Sequence, residues 1–126
     1  MIEMKKILKC DHCGNIISMI KDKGPKVQCC GDSMRDMVAN TVEAALEKHV
    51  PVANRVGNNL TVTVGSVMHP MTIEHHIAWI MVVQENKTQR VILDPVAAPV
   101  ANFILNDGPV ATYAYCNLHG LWKAED

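Results

Sequence analysis

The chain has 126 residues, with 12 Lys+Arg against 13 Asp+Glu and a formal net charge of −1. That length allows one ordinary domain, or a very small one joined to a modest one. The even charge balance and the lack of any lysine/arginine run argue against a nucleic-acid partner, and no apolar run is long enough to span a bilayer.

The N-terminus runs Met-Ile-Glu-Met-Lys-Lys to Cys10 with no apolar signal region, which predicts a cytoplasmic protein. In a reducing compartment the five cysteines read as metal ligands or catalytic thiols before disulfides, and an odd number would leave one unpaired. Four of the five lie between residues 10 and 30, whereas every histidine but His12 lies at or after residue 49. This split predicts two metal sites in two units.

The first unit, residues 1–37, is too short for a hydrophobic core of its own and needs a metal or a partner to fold. Gly14, Gly24-Pro25 and Gly31 supply its turns. The second unit, 38–126, begins with Asn40 to Lys48, whose Ala44, Ala45, Leu46 and Glu47 favour a short helical turn with Asn40 or Thr41 as cap. Pro51 ends it. Leu60, Val62 and Val64 alternate with Thr61, Thr63 and Gly65, as in a half-buried strand. Ile77 to Val83 is a continuous apolar run suited to a core strand. Glu85 to Thr88 reads as a turn, and Arg90 to Leu93 completes a hairpin. Val100 to Leu105 and Val110 to Cys116 are two further strands about the turn Asn106-Asp107-Gly108-Pro109. The expected fold is mainly β: a small metal-organised N-terminal domain followed by an antiparallel β-sandwich.

Cys10 and Cys13, at i and i+3, can face one ion across a tight turn. Cys29 and Cys30 follow about one small hairpin later. Four thiolates suit tetrahedral iron or zinc. Adjacent cysteines are unusual in zinc ribbons and would distort the tetrahedron. His12, between two ligands, is assigned to solvent. Cys116 and His119 have the same i, i+3 spacing, and His49, His69 and His75 lie on separate connections. Any one of these histidines alone reads as an ordinary core or surface residue. Together, four imidazoles and one thiolate suit a redox iron better than four-coordinate zinc, and five protein ligands leave one octahedral position for a small substrate.

These motifs resemble those of the desulfoferrodoxin family, the two-iron superoxide reductases, over essentially the whole chain. Cys10, Cys13, Cys29 and Cys30 are similar to the family's desulforedoxin-like centre. Glu47-Lys48-His49-Val50-Pro51, His69-Pro70-Met71, His75-His76-Ile77 and Tyr115-Cys116-Asn117-Leu118-His119-Gly120 are similar to its neelaredoxin-like catalytic domain. The resemblance implies two iron ions per chain. One is a distorted FeS4 centre in 1–37. The other, in 38–126, has His49, His69, His75 and His119 equatorial and Cys116 axial. It implies an immunoglobulin-like sandwich, a homodimer, a rubredoxin-type electron donor and no ligand role for His76.

It also implies one-electron reduction of superoxide to hydrogen peroxide. Lys48 guides the anion and organises the water that delivers protons; Glu47 corresponds to the carboxylate that takes the sixth position of the ferric iron after turnover. The amides of Leu118 and His119 are expected to donate to the Cys116 sulfur. Relatives commonly carry glutamate where this chain has Ala114, on the strand face of Cys116. The rival readings are a two-iron electron carrier without catalysis, a zinc-stabilised binding module and a superoxide dismutase.

Overall fold

The structure, a computed structural model, describes residues 6–125. Most of the N-terminal stretch on which a leaderless start is expected, residues 1–5, lies outside the described residues. Backbone contacts divide the chain into two compact units, with the boundary in sequence between Val38 and Ala39.

In the first unit β1 (Lys6–Lys9) and β2 (Ile16–Met19) form an antiparallel pair. β3 (Gln28–Cys29) and β4 (Asp32–Ser33) make a two-rung hairpin, and β5 (Arg35–Asp36) pairs with the free edge of β1. Among the described residues, the buried apolar side chains of this unit are Ile7, Leu8, Cys10 and Met37. So thin a core is what the sequence predicts for a metal-organised unit.

The second unit opens with α1 (Leu46–His49), a single turn. The short helical turn expected within Asn40 to Lys48 is present at its C-terminal end, but neither Asn40 nor Thr41 caps it; the residue before it is Ala45, which makes no side-chain cap bond. Asn40 instead adopts a left-handed φ of 62°. Its amide donates to Leu121 O, and its side chain exchanges bonds with the amide and carbonyl of Lys123. It thereby behaves as a one-residue extension of a sheet edge, a conformation asparagine tolerates better than most residues.

Seven strands follow: β6 (Pro51–Val56), β7 (Asn59–Val64), β8 (Ile77–Gln84), β9 (Lys87–Ile92), β10 (Val100–Ile104), β11 (Ala111–Cys116) and β12 (Gly120–Glu125). They form two antiparallel sheets in the orders β10-β7-β6 and β12-β11-β8-β9. Leu60, Val62 and Val64 of β7 are buried while Asn59 and Thr61 are exposed, as the alternation predicts. These three pack with Ala101 and Phe103 from β10, and with Ile80, Val82, Ala114 and Cys116 from the other sheet. β8 is buried almost throughout. It is an inner strand covered on both faces, with the stacked rings of Trp79 and Tyr115 (5.6 Å, 12°) among the residues of its second face.

The Glu85 turn is tighter than expected: β9 already begins at Lys87. β6 and β12 carry no alternation strong enough to read. β6 is exposed along most of its length, and β12 follows directly on the His119 loop. At the end of the sandwich distant from α1, Arg55 donates to the carbonyls of Gly57, Asn106 and Gly108, and buried Gln84 bonds both the amide and the carbonyl of Asn106. These bonds close the loops there without any metal.

Candidate metal centres

In the first unit Cys10 and Cys13 flank the turn after β1, and the Cys13 amide points at the Cys10 sulfur (3.5 Å). That amide is the main reason the Cys10 thiol is pulled down to about 6. Cys29 ends β3 opposite Asp32, so Cys30 and Gly31 are the two residues of the hairpin loop. Both have positive φ, 54° and 77°. This is the mirror-image turn that suits the twist of a two-residue hairpin. Its left-handed conformation at Cys30 lets neighbouring cysteines aim at one point instead of at opposite faces of a strand.

The four sulfurs lie within 4.8 Å of one another. Cys13 and Cys29 are 3.6 Å apart, and Asn15 Nδ2 donates to the Cys29 sulfur at 3.7 Å. Hydrogen bonding with Cys13, then Cys10 and Cys29, pushes Cys30 up to about 12. Four sulfurs this close cannot all ionise unless a cation sits among them, so the set fits a thiophilic metal. His12 is exposed and bonds Asp32 at 3.2 Å, as its assignment away from the ion requires. Arg35 holds Asp11 through a forked pair of bonds beneath the same turn.

In the second unit the topology gathers the other donors. His49 ends α1 just before β6, His69 follows β7, His75 precedes β8, Cys116 ends β11, and His119 lies in the turn into β12. The antiparallel pairings Pro51↔Val64, Cys116↔Ile77 and Cys116↔Gly120 bring those strand ends to one end of the sandwich.

The rings of His49, His69, His75 and His119 form a closed square. Neighbouring centroids are 4.6, 4.6, 5.1 and 4.9 Å apart and nearly perpendicular, while the His49–His75 diagonal is 6.4 Å. The buried Cys116 sulfur is 3.4 Å from His69 Nε2 and 3.8 Å from His119 Nδ1.

The protons on these rings can be placed by chemistry. A carbonyl only accepts, so His49 Nδ1 must donate to Ala45 O (2.7 Å) and His69 Nδ1 to Pro70 O (2.7 Å). Burial pushes His49 and His75 below the usual histidine range and His69 down to about 4, so these rings are neutral at pH 7. The Nε2 atoms of His49 and His69 then carry lone pairs. His49 Nε2 lies 3.2 Å from His69 Nε2 and 3.1 Å from His119 Nδ1. His75 Nε2 is buried and has no hydrogen-bond partner.

Converging lone pairs and an orphaned buried nitrogen are what a shared cation satisfies, so the residues fit a metal with four imidazole donors and one thiolate. Burial raises the Cys116 thiol, and backbone hydrogen bonds from Leu118 and His119 oppose that rise, the two amides expected from the sequence.

Glu47 and Lys48 are exposed on α1, immediately before His49. Their main chain is held closely: Glu47 O accepts from Val67 N (2.8 Å) and Ser66 Oγ (3.2 Å). Gly65 permits this approach, since a Cβ there would stand 2.6 Å from Glu47 O. His76 is not one of the gathered rings; its Nδ1 bonds the carbonyls of Thr72 and Ile73.

Three supporting residues escape a sequence reading. Gly65 reads there only as one polar step in a strand alternation. Trp122 is buried with its ring 5.0 Å from His49 and its Nε1 on His119 O. Asn117, inside the Cys116–His119 motif, ties two ligand loops together, and its place between two ligands was the one available hint.

A family model described as Desulfoferrodoxin matches residues 41–125. The chain is 45% identical over 120 residues to the desulfoferrodoxin of Nitratidesulfovibrio vulgaris, covering 95% of each. It is 40% identical over 126 residues to that of Desulfarculus baarsii, covering 100% of each. Among solved structures, the superoxide reductase from Treponema pallidum is similar at a TM-score of 0.78 and 34% identity, covering 97% of this chain and 99% of that one. The one-iron superoxide reductase from Giardia intestinalis is similar over 64% of this chain and 97% of that one (TM-score 0.54, 33% identity).

Proposed function

This chain belongs to the desulfoferrodoxin family, and we propose that it is a superoxide reductase carrying out the one-electron, two-proton reduction of superoxide to hydrogen peroxide. The observation that carries the reading is the imidazole square with Cys116 close to two of its corners and α1 delivering Glu47 and Lys48 next to His49. We assign His49, His69, His75, His119 and Cys116 to one iron, and Cys10, Cys13, Cys29 and Cys30 to the other; the donor atoms of His49, His75, Cys116 and His119 lie within 4.8 Å of one another, and His69 Nε2 joins them at 3.2 Å from His49 Nε2 and 3.4 Å from the Cys116 sulfur. We assign residues 1–37 and 38–126 to the corresponding domains.

A ferrous ion held by His49, His69, His75, His119 and Cys116 would supply the electron. The chain's own groups do the rest. Lys48 offers a positive charge that draws the anion in despite a net charge near zero, and it orders the water through which protons arrive. Glu47 is an exposed carboxylate next to Lys48 on α1, an anionic group that would compete with product for the bound metal. Cys116 is a soft anionic donor whose strength is tempered by the Leu118 and His119 amides. Reducing equivalents come from a rubredoxin-type donor, and the protein works as a cytoplasmic homodimer. Five cysteines without a disulfide support that compartment, and among the described residues no helix is long and apolar enough to cross a membrane.

The test is visible absorption with metal analysis, before and after a stoichiometric flux of superoxide. A thiolate-to-iron band that appears as superoxide oxidises the second iron, with one peroxide formed per superoxide, is the expected result. One peroxide per two superoxide would make the protein a dismutase, iron that ignores superoxide would leave an electron carrier, and zinc would leave a structural module.

A further inference from the structure

The strands that deliver His75 and Cys116 part company just before the site. β11 and β8 pair regularly to Tyr115↔Trp79, but Cys116 then sits opposite Ile77, so the register slips by one residue. Beyond this irregularity the regular ladder stops, and Asn117 takes its place. Its amide donates to His76 O at 3.2 Å. Its side-chain Oδ1 accepts from His76 N at 2.9 Å, and its Nδ2 donates to Glu74 O at 3.0 Å. One residue thus grips both sides of His75.

The chemistry is specific to asparagine. His76 N–H demands an acceptor and Glu74 C=O demands a donor, which also fixes which way the carboxamide faces. Aspartate would turn a second acceptor toward the Glu74 carbonyl. Serine, with a single oxygen, cannot reach both. The side chain imitates a peptide group, continuing the sheet where the main chain cannot.

We propose that Asn117 is a positioning residue that sets the His75 imidazole against Cys116 and His119, so that its carboxamide, and not the metal alone, fixes that corner of the imidazole square. This rests on the metal-site reading above. It explains how His75, on the connection Thr72–His76, holds a buried Nε2 aimed into the site. The other bonds of that connection are local: the Thr72 hydroxyl accepts from the His75 amide and the Thr72 amide donates to His75 O. These shape the turn but do not tie it to the other ligands.

The experiment uses metal-loaded, full-length protein as wild type, Asn117→Ala and Asn117→Asp. Amide hydrogen exchange is followed at His76 and, as an internal reference, at Val82 in the centre of β8. The visible thiolate-to-iron band is recorded on the same samples. Asn117→Ala should speed exchange at His76 on the order of tenfold relative to Val82, the effect of one lost partly buried hydrogen bond, and should shift or broaden the band. Asn117→Asp keeps the acceptor for the His76 amide but opposes the Glu74 carbonyl, so it should restore His76 protection only in part.

His76 exchange unchanged in Asn117→Ala would overturn the proposal. So would a rise at His76 no greater than at Val82, which would make Asn117 a general stabiliser. If no sample shows a thiolate-to-iron band, the functional reading fails, while the ratio of His76 to Val82 exchange still decides whether Asn117 holds the loop.

Discussion

His49 and His69 face each other through Nε2 atoms 3.2 Å apart, and neither nitrogen carries the proton, because each ring has committed its Nδ1–H to a carbonyl. In the folded chain this arrangement costs free energy that a bound cation removes. Stripping metal with a chelator should therefore lower the melting temperature by at least about 5 °C, roughly 1–2 kcal/mol for a domain of this size. Replacing His75 with alanine should empty the second site and leave the first loaded, which metal analysis reads directly.

Gly65 lies under α1 with no room for a side chain. In Gly65→Ala the new methyl would meet the carbonyls of Glu47 and Val50 at 2.6 and 2.9 Å. Both are main-chain atoms that cannot rotate away. The substitution should destabilise by about 1–3 kcal/mol, as overpacking usually does, and should weaken metal retention at the second site more than at the first. Thermal melts and metal content per chain measure the two effects.

Ala114 is fully buried, paired with Ile80 and Trp122, and packed in the same apolar cluster as Cys116. The sequence reading that it shares a face with the cysteine holds. Restoring the common glutamate by Ala114→Glu places a carboxyl among apolar side chains, with an expected loss of about 2 kcal/mol or more. Burial raises the folded-state pKa of such a group, so the loss should be smallest below about pH 4, where the carboxyl is neutral in both states, and grow as pH rises. Melts across that range, with potentiometry of the second centre, would show whether the carboxylate also alters the field at sulfur.

For Lys48, the expected outcome of Lys48→Ile is a slower bimolecular reaction with superoxide, about tenfold at low ionic strength. The gap between variant and wild type should narrow as salt screens the wild-type charge. Pulse radiolysis at several salt concentrations provides the measurement, and an unchanged rate would remove Lys48 from the mechanism.

Tyr113 gives a test away from the metals. Burial raises its phenol above the usual tyrosine range, with Lys123 Nζ over the ring at 5.7 Å opposing the rise and Glu125 adding to it. Lys123 is itself raised by its bond to Glu125 and keeps its charge in the same range. A raised folded pKa means that the phenol's contribution is complete below about pH 10 and is lost as pH climbs through the folded value. Tyr113→Phe should be slightly less stable than wild type at pH 8, and the difference should close toward pH 11, as denaturant titrations at the two pH values would record.

How far the sequence reached can be judged element by element. β7, β8, β10 and β11 were legible because their burial follows period two or a continuous apolar run. β6 was not, because four of its six residues are exposed. The short helical turn was legible, since Ala44 to Glu47 favour helix locally and Pro51 follows just after α1; its cap was not, because no side chain caps it. Asn40 was read as a cap because capping is its commonest local use; its pairing with Leu121 and Lys123 depends on a strand eighty residues away.

The sequence by itself determined the donor chemistry: four thiols in 10–30, then four imidazoles and a thiol on separate connections, together with the alternation that makes a sandwich. Those are properties of side chains and of neighbours along the chain. Only the tertiary structure decided that the four rings close a square beside Cys116, that Cys30 turns left-handed to join its neighbour, and that Asn117 and Gly65 hold the ligand loops in place. Each of these depends on strand register and on the meeting of distant ends, which no local period encodes, because a slip of one residue would turn every side chain of a strand to its opposite face.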